Sequence, residues 1–161
     1  MSLKGKTALI TGSTSGIGLG IAKNFASLGV NIVMNGFGDA ADIEAARKNL
    51  EAHSIKAIHH SADMPKPYQL ADMITTAKAE FGSIDILVNN AGIQFVSPIE
   101  DFPPEKWQAI IDINLTSAFH TTRAVVPIMR EAGWGRVINM CSAHGLVASP
   151  FKSAYVAAKH G

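Results

Sequence analysis

Short apolar runs alternate along the chain with longer segments in which apolar residues recur every three or four positions. The short runs are rich in β-branched residues and predict strands at 7–10, 30–34, 57–60, 85–88 and 137–140. The longer segments predict helices at 17–28, 40–53, 68–81, 104–132 and 153–160. Because strands that alternate with helices form βαβ units, the pattern predicts an α/β fold with a doubly wound parallel sheet.

Composition and charge restrict the class of protein. The chain has 161 residues, which suits one domain over 1–161, and 47% of them are hydrophobic. The formal net charge is +1 and no basic run occurs, so we expect no nucleic-acid partner. No apolar run is long enough to span a membrane and no signal peptide is visible, so we expect a soluble, cytoplasmic protein. Cys141 is the only cysteine, and no histidine or cysteine cluster indicates a metal.

The segment between the first predicted strand and the first predicted helix is rich in glycine. It reads Thr11-Gly12-Ser13-Thr14-Ser15-Gly16-Ile17-Gly18. Glycines let the backbone approach a pyrophosphate, and the helix N-terminus that follows offers free N–H groups. The hydroxyls of Ser13, Thr14 and Ser15 can add donors. A plain glycine-rich turn is the alternative, but the position between strand and helix favours a dinucleotide site. The predicted cofactor contacts in this segment are Gly12, Thr14, Ser15, Gly16, Ile17 and Gly18.

The spacing T-G-x-x-x-G-x-G resembles that of the short-chain dehydrogenase/reductase family, and further motifs of that family follow in order. Asn89-Asn90-Ala91-Gly92 matches N-N-A-G, and Tyr155-Val156-Ala157-Ala158-Lys159 matches Y-x-x-x-K. Asn114 and Ser142 stand where the family has its asparagine and its serine. The resemblance implies a Rossmann-type fold, oxidoreductase activity and a homo-oligomer, usually a tetramer. It also implies cofactor contacts at Asn90, Ala91, Gly92, Tyr155 and Lys159.

The tyrosine and the lysine of the last motif are four residues apart, so on a helix they share one face. A free tyrosine has a pKa of about 10, and a nearby ammonium favours its phenolate. Tyr155 is therefore the predicted general base for alcohol oxidation and general acid for ketone reduction. By resemblance, Lys159 also holds the nicotinamide ribose and Asn114 positions a relay water, while Ser142 bonds the substrate oxygen. Two alternatives stay open: Ser142 as a turn cap, and Asn114 as a mid-helix irregularity.

The residues after the second strand bear on the choice of cofactor. NADP sites need cations for the 2′-phosphate, whereas NAD sites favour a group that accepts from the ribose 2′-hydroxyl. No Arg or Lys occurs in Asn35-Gly36-Phe37-Gly38, so the sequence favours NAD. The usual acidic residue is absent, so Asn35 or a backbone group is the candidate acceptor, and Phe37 can pack against the adenosine. Asp63 matches, by resemblance, an aspartate that contacts adenine, unless it only caps a loop.

Four features narrow the resemblance to the D-3-hydroxybutyrate dehydrogenase subfamily. They are Asn35-Gly36-Phe37-Gly38-Asp39, Gln94, His144 and Lys152. The resemblance implies NAD-dependent oxidation of (R)-3-hydroxybutyrate to acetoacetate, a substrate whose carboxylate needs donors. Lys152 can supply charge, while Gln94 and His144 can supply directed hydrogen bonds. The alternative for these three residues is that they are unrelated polar loop residues. The competing functions for the chain are a related 3-oxoacyl reductase and a non-catalytic nucleotide-binding fragment.

By the same resemblance, the chain is expected to be incomplete at its C-terminus. Family members continue through the last helix into two more strands and a lid over the substrate. Those parts shield the nicotinamide and complete the substrate pocket. The chain of 161 residues is therefore expected to be a poor catalyst by itself, although it carries every predicted catalytic residue.

Overall fold

The computed structural model describes residues 2–161, and its centre is a five-stranded parallel sheet. The strands are β1 (Thr7–Ile10), β2 (Asn31–Asn35), β3 (Ala57–His60), β4 (Ile86–Asn89) and β5 (Arg136–Asn139). Their order across the sheet is β3-β2-β1-β4-β5. The chain therefore moves outward from β1 to β3 and then returns to start again at β4. This reversal opens a crevice at the carboxyl ends of β1 and β4, where ligands bind in folds of this kind.

Helices connect the strands and cover both faces of the sheet. They are α1 (Gly16–Ser27), α2 (Ala40–Glu51), α3 (Pro67–Phe81), α4 (Pro104–Ile111), α5 (Ser117–Glu131) and α6 (Ser153–His160). A π-helical turn (Asp112–Thr116) joins α4 to α5, and a single 3₁₀ turn (Ala143–Gly145) follows β5. The predicted doubly wound parallel α/β fold is confirmed. The single helix predicted over 104–132 is divided by the π-helical turn, and the other element ends lie within two residues of their predicted positions.

The two faces of the sheet pack against different helices because successive strand residues point to opposite sides. Ile10 contributes to a core with Ala22 of α1, whereas Leu9 contributes to a core with Met73 of α3 and Val125 of α5. All four residues of β1 are buried, as a strand covered on both faces requires. The four residues of β5, at the edge of the sheet, are exposed.

Two kinds of feature are not found in residues 2–161. No helix in this range combines the length and the apolar character that crossing a bilayer would need. No group of three or more His, Cys, Asp or Glu side chains in the same range is placed to hold a metal ion.

Candidate active site

The turn between β1 and α1 is shaped for close approach between backbone segments and a ligand. A Cβ atom at Gly18 would overlap the carbonyl oxygen of Gly12 and lie 2.6 Å from Nδ2 of Asn90, so only glycine fits. The first N–H groups of α1 have no partner within the helix. Within residues 2–161, the side chain of Ser15 at the N-cap does not bond to them either. These N–H groups are oriented to bind an anion, which fits the pyrophosphate of a dinucleotide.

A hydrogen-bond network holds this turn against the loop that follows β4. Nδ2 of Asn90 donates to the carbonyl oxygens of Thr11 and Gly12, at 2.9 and 3.1 Å. Oγ1 of Thr11 accepts from the backbone N–H groups of Asn90 and Ala91, both at 3.0 Å. The Asn90 amide therefore supports the turn, and its cofactor contact stays a prediction. The sequence assigns no role to Thr11, and only its place in the motif signals one.

The three hydroxyl residues of the turn differ in what they can offer a phosphate. The buried Ser13 hydroxyl donates to the carbonyl oxygen of Ile10 at 2.7 Å and accepts from the N–H of Asn35 at 3.0 Å. Its proton is therefore occupied, contrary to the expectation that it adds a donor. The Thr14 hydroxyl donates to the carbonyl oxygen of Phe37 at 2.8 Å, so its proton is also occupied, contrary to the same expectation. Ser15 is exposed at the helix N-terminus.

The end of β2 forms the floor of the crevice. Asn35 is buried, and its Nδ2 donates to the carbonyl oxygens of His60 and Ala62, at 3.1 and 2.9 Å. Its Oδ1 accepts from the N–H of Gly12 at 3.3 Å. These bonds tie β2 to β3 and to the glycine turn. Asn35 is thus a structural support, which disfavours it as the acceptor for a ribose hydroxyl and leaves the backbone alternative.

Two further predicted cofactor residues line the same crevice as the glycine turn. Phe37 and Asp63 both face it, and the Phe37 side chain is 64% exposed. Oδ2 of Asp63 also pairs with Nζ of Lys66 at 3.3 Å. Ile17 is 70% exposed on the first turn of α1. Large apolar side chains that stay this exposed beside an anion-binding turn suit contact with the flat faces of a nucleotide.

Asn114 lies in the π-helical turn, an irregularity that the apolar periodicity of 104–132 does not reveal. Its Oδ1 accepts from the N–H of Ile93 at 2.8 Å, and its Nδ2 donates to the carbonyl oxygen of Ile93 at 2.9 Å. A Cβ at Gly92 would lie 3.3 Å from this Oδ1. The side chain therefore pins the loop after β4 at the crevice. π-Helical turns are frequent at functional sites, so the mid-helix irregularity at Asn114 is compatible with a functional role for this residue.

α6 carries the tyrosine and the lysine one turn apart, and Lys159 is the one of the two that lines a cavity at the sheet edge. Nζ of Lys159 lies 5.7 Å from the centre of the Tyr155 ring and donates to the carbonyl oxygen of Met140 at 2.7 Å. Partial burial lowers the pKa of Lys159, an effect that the nearby Cys141 opposes. Lys159 lines a cavity at the ends of β1, β4 and β5, together with Thr11, Ala91 and Asn114. The partly buried ammonium of Lys159 stabilises negative charge that forms beside it.

Ser142 begins the 3₁₀ turn after β5. Its Oγ accepts from the N–H of His144 at 3.2 Å, so it does cap a turn. Capping uses a lone pair of the hydroxyl and leaves its proton available. The turn-cap alternative is therefore compatible with a hydrogen bond from Ser142 to a substrate oxygen.

His144 and Lys152 form a pair next to Tyr155. Nδ1 of His144 lies 3.3 Å from the carbonyl oxygen of Val147, and Nε2 lies 3.2 Å from Nζ of Lys152. A carbonyl only accepts and an ammonium only donates, so Nδ1 carries the proton and Nε2 is the acceptor. The rings of His144 and Tyr155 meet edge to face, with centroids 6.2 Å apart. In this arrangement His144 holds the lysine, instead of donating to a carboxylate itself.

The structure brings His144, Lys152 and Tyr155 together. Within residues 2–161, the exposed Gln94 side chain makes no hydrogen bond to His144 or Lys152. The loop that carries Gln94 is nevertheless joined to the segment before α6, because Ser97 N–H donates to the carbonyl oxygen of Phe151 at 2.9 Å. Gln94 therefore stays a predicted substrate residue on a loop that borders the site.

Two known proteins are similar to this chain over nearly its whole length. A D-beta-hydroxybutyrate dehydrogenase of Cupriavidus necator strain H16 is 62% identical over 159 residues, which cover 99% of this chain and 61% of that protein. A D-beta-hydroxybutyrate dehydrogenase of Rhizobium meliloti strain 1021 is 59% identical over 157 residues, covering 97% and 61%. The chain thus spans 61% of the length of both relatives.

A solved structure and a family model point the same way. A crystal structure from Sinorhizobium meliloti 1021, provisionally assigned as a short-chain alcohol dehydrogenase, superposes with a TM-score of 0.93 at 32% identity. The match covers 99% of this chain and 63% of the other. The family model described as short chain dehydrogenase matches residues 6–161. The chain therefore belongs to the short-chain dehydrogenase family, as its motifs predict.

Proposed function

We propose that this protein is an NAD-dependent dehydrogenase that interconverts (R)-3-hydroxybutyrate and acetoacetate. The observation that carries the proposal is the Lys152–His144 pair beside Tyr155, with Nζ of Lys152 at 3.2 Å from Nε2 of His144. A cation suited to a carboxylate is thereby placed next to a phenol suited to a hydroxyl proton. The similarity to two D-beta-hydroxybutyrate dehydrogenases supports the same substrate.

The residues around the glycine turn fit a dinucleotide. The N–H groups at the start of α1 would hold its pyrophosphate, and Gly18 leaves the necessary room. Phe37 and Asp63 would border the adenosine. No Arg or Lys occurs at 35–39 to pair with a 2′-phosphate, which supports NAD over NADP. When bound, the nicotinamide supplies the hydride acceptor, and the chain supplies position and charge.

Proton transfer falls to the residues at the carboxyl edge of the sheet. During oxidation, Tyr155 would take the proton of the substrate hydroxyl, and during reduction it would return that proton. The Ser142 hydroxyl would donate to the same substrate oxygen and stabilise the alkoxide charge that develops there. Lys159, half-buried beside the Tyr155 ring, would stabilise the phenolate. Asn114 fixes the loop after β4, which borders both the cofactor crevice and the Lys159 cavity.

The direct test of this proposal is NADH formation by the full-length protein with (R)-3-hydroxybutyrate. The (S)-enantiomer and a 3-hydroxyacyl thioester are the comparison substrates. We expect turnover with the (R)-acid and little with the other two, because only the (R)-acid offers a carboxylate and a hydroxyl in the required positions. Preference for the thioester would instead assign the protein to the acyl-carrier reductases and overturn the proposal.

Replacing Lys152 by methionine is expected to raise KM for 3-hydroxybutyrate about 10- to 100-fold, because a charge-assisted hydrogen bond to the carboxylate is lost. The change in kcat is expected to be smaller, since this bond forms equally in ground state and transition state. Steady-state kinetics at saturating NAD measure both constants.

The matched control is Lys23→Met, which removes an exposed lysine on α1. It is expected to change neither constant by more than about twofold. Equal KM values for the Lys152→Met and Lys23→Met variants would show that Lys152 does not bind the carboxylate.

A further inference from the structure

Phe151 adopts a backbone conformation that its residue type disfavours. Its φ is +62°, and Ser54 is the other non-glycine residue within 2–161 with a positive φ. A bulky side chain in this region is strained, and such strain persists only where the surroundings impose it. The Phe151 side chain is 57% exposed, so burial of the ring does not explain the conformation.

The contacts on either side of Phe151 show what the conformation achieves. The carbonyl oxygen of Phe151 accepts from the N–H of Ser97, at 2.9 Å, on the loop after β4. The next residue, Lys152, precedes α6, and its carbonyl oxygen accepts from the N–H of Val156 at 2.8 Å. Its Nζ lies 3.2 Å from Nε2 of His144. Two successive residues thus bond to the loop after β4, to α6 and to the 3₁₀ turn.

We propose that the left-handed backbone of Phe151, and not its aromatic ring, positions the substrate-binding lysine. A left-handed residue reverses the chain sharply. Phe151 can therefore present its carbonyl to one loop while Lys152 faces His144 on another. An extended or right-handed residue at 151 would break the bond to Ser97 and turn Lys152 away from His144. Phe151 is thus a positioning residue. The inference rests on the proposed function in one respect, namely that Lys152 binds the substrate carboxylate.

Three substitutions in the full-length protein separate the backbone from the ring. Phe151→Leu and Phe151→Ile introduce isomers of equal size, but only isoleucine is β-branched and strongly disfavours positive φ. Phe151→Gly removes the side chain and adopts positive φ freely. We expect Phe151→Ile to raise KM for 3-hydroxybutyrate about tenfold, with a smaller change in kcat. Phe151→Leu and Phe151→Gly are expected to stay near the wild-type KM.

Two outcomes would overturn the inference. If the glycine variant binds substrate as poorly as the isoleucine variant, the ring is what matters. If the isoleucine variant keeps the wild-type KM, the conformation does not position Lys152. Should Phe151→Ile fail to fold, a raised KM in Phe151→Gly would still overturn the inference, because it would show that the ring is what matters. Ser54→Ile is the control: it strains the chain at a turn between α2 and β3, so it lowers stability without raising KM.

A second readout separates this inference from the proposed function. The nitrogen NMR signal of Nε2 in His144 reports its bond to Lys152 whether or not the protein oxidises 3-hydroxybutyrate. We expect Phe151→Ile to change that signal, and Phe151→Gly to leave it as in the wild type. Inactivity of the wild type towards 3-hydroxybutyrate would overturn the function alone, whereas an unchanged His144 signal in Phe151→Ile would overturn the positioning role alone.

Discussion

Turnover of 3-hydroxybutyrate is expected to fall about 100- to 10,000-fold when Tyr155 is replaced by phenylalanine, the range typical for loss of a general acid–base group. The substitution removes only the phenolic oxygen. The ring can still meet His144 edge to face, so the fold and the substrate pocket should persist. Binding of NAD should change by no more than about twofold. Steady-state turnover and NAD titration by fluorescence measure the two effects separately.

The other tyrosine of the chain provides the control. Tyr68 lies on α3 and is 70% exposed, remote in sequence from the α6 motif. Tyr68→Phe makes the same chemical change and should leave turnover within about twofold of the wild type. Substantial activity in Tyr155→Phe would mean that another group moves the proton, and the assignment of Tyr155 would fail.

Replacing Gly18 by alanine is expected to weaken NAD binding by about 100-fold. The new methyl group would overlap the carbonyl oxygen of Gly12 and lie 2.6 Å from Nδ2 of Asn90. Both neighbours belong to the network that holds the turn, so relief of the overlap must move the backbone at the phosphate-binding position. Overpacking at a rigid site costs about 1–3 kcal/mol, and about 1.4 kcal/mol corresponds to a tenfold loss of affinity.

Gly20 is the matched position for this second prediction. It lies two residues further along α1, and a Cβ there would meet nothing within 4 Å. Gly20→Ala should keep full NAD affinity and stabilise the protein by about 0.5–1 kcal/mol, because alanine favours a helix over glycine. Calorimetric titration with NAD measures affinity for both variants. Equal affinities would show that the turn does not shape the cofactor site.

The strands and most helices could be predicted from the sequence because their burial follows a simple period. β1 and β2 are covered on both faces, and α3 buries its apolar face. On α1, by contrast, the small residues Gly18, Ala22 and Ala26 are buried, whereas the apolar residues Ile17 and Leu28 of the predicted inward face are exposed. The π-helical turn Asp112–Thr116 leaves no such signal. This turn is wider than the helical turns on either side of it. Within it, Asn114 forms hydrogen bonds to the backbone of Ile93, and local periodicity does not encode contacts between residues so far apart in sequence.

The sequence predicts candidate site residues best where a motif fixes both the residue type and the backbone position. Gly18 and the pair on α6 are of this kind. The sequence could not show that the Asn35 amide is occupied by backbone partners, or that His144 accepts a bond from Lys152. The roles of Asn35 and His144 depend on which residues, brought near by the fold, form hydrogen bonds with their side chains. The left-handed conformation of Phe151 is also hidden, because phenylalanine is not a residue that signals positive φ.

In the proposed mechanism Lys159 acts on the chemistry through Tyr155, whose ring centre lies 5.7 Å from Nζ of Lys159. A double-mutant cycle with Tyr155→Phe, Lys159→Met and the combined variant, at saturating NAD, tests this coupling. Residues that act as one unit are not additive, so the combined variant should turn over substrate about as fast as the slower single variant. If the two losses multiply instead, the lysine and the tyrosine act independently, and the account of proton transfer is contradicted.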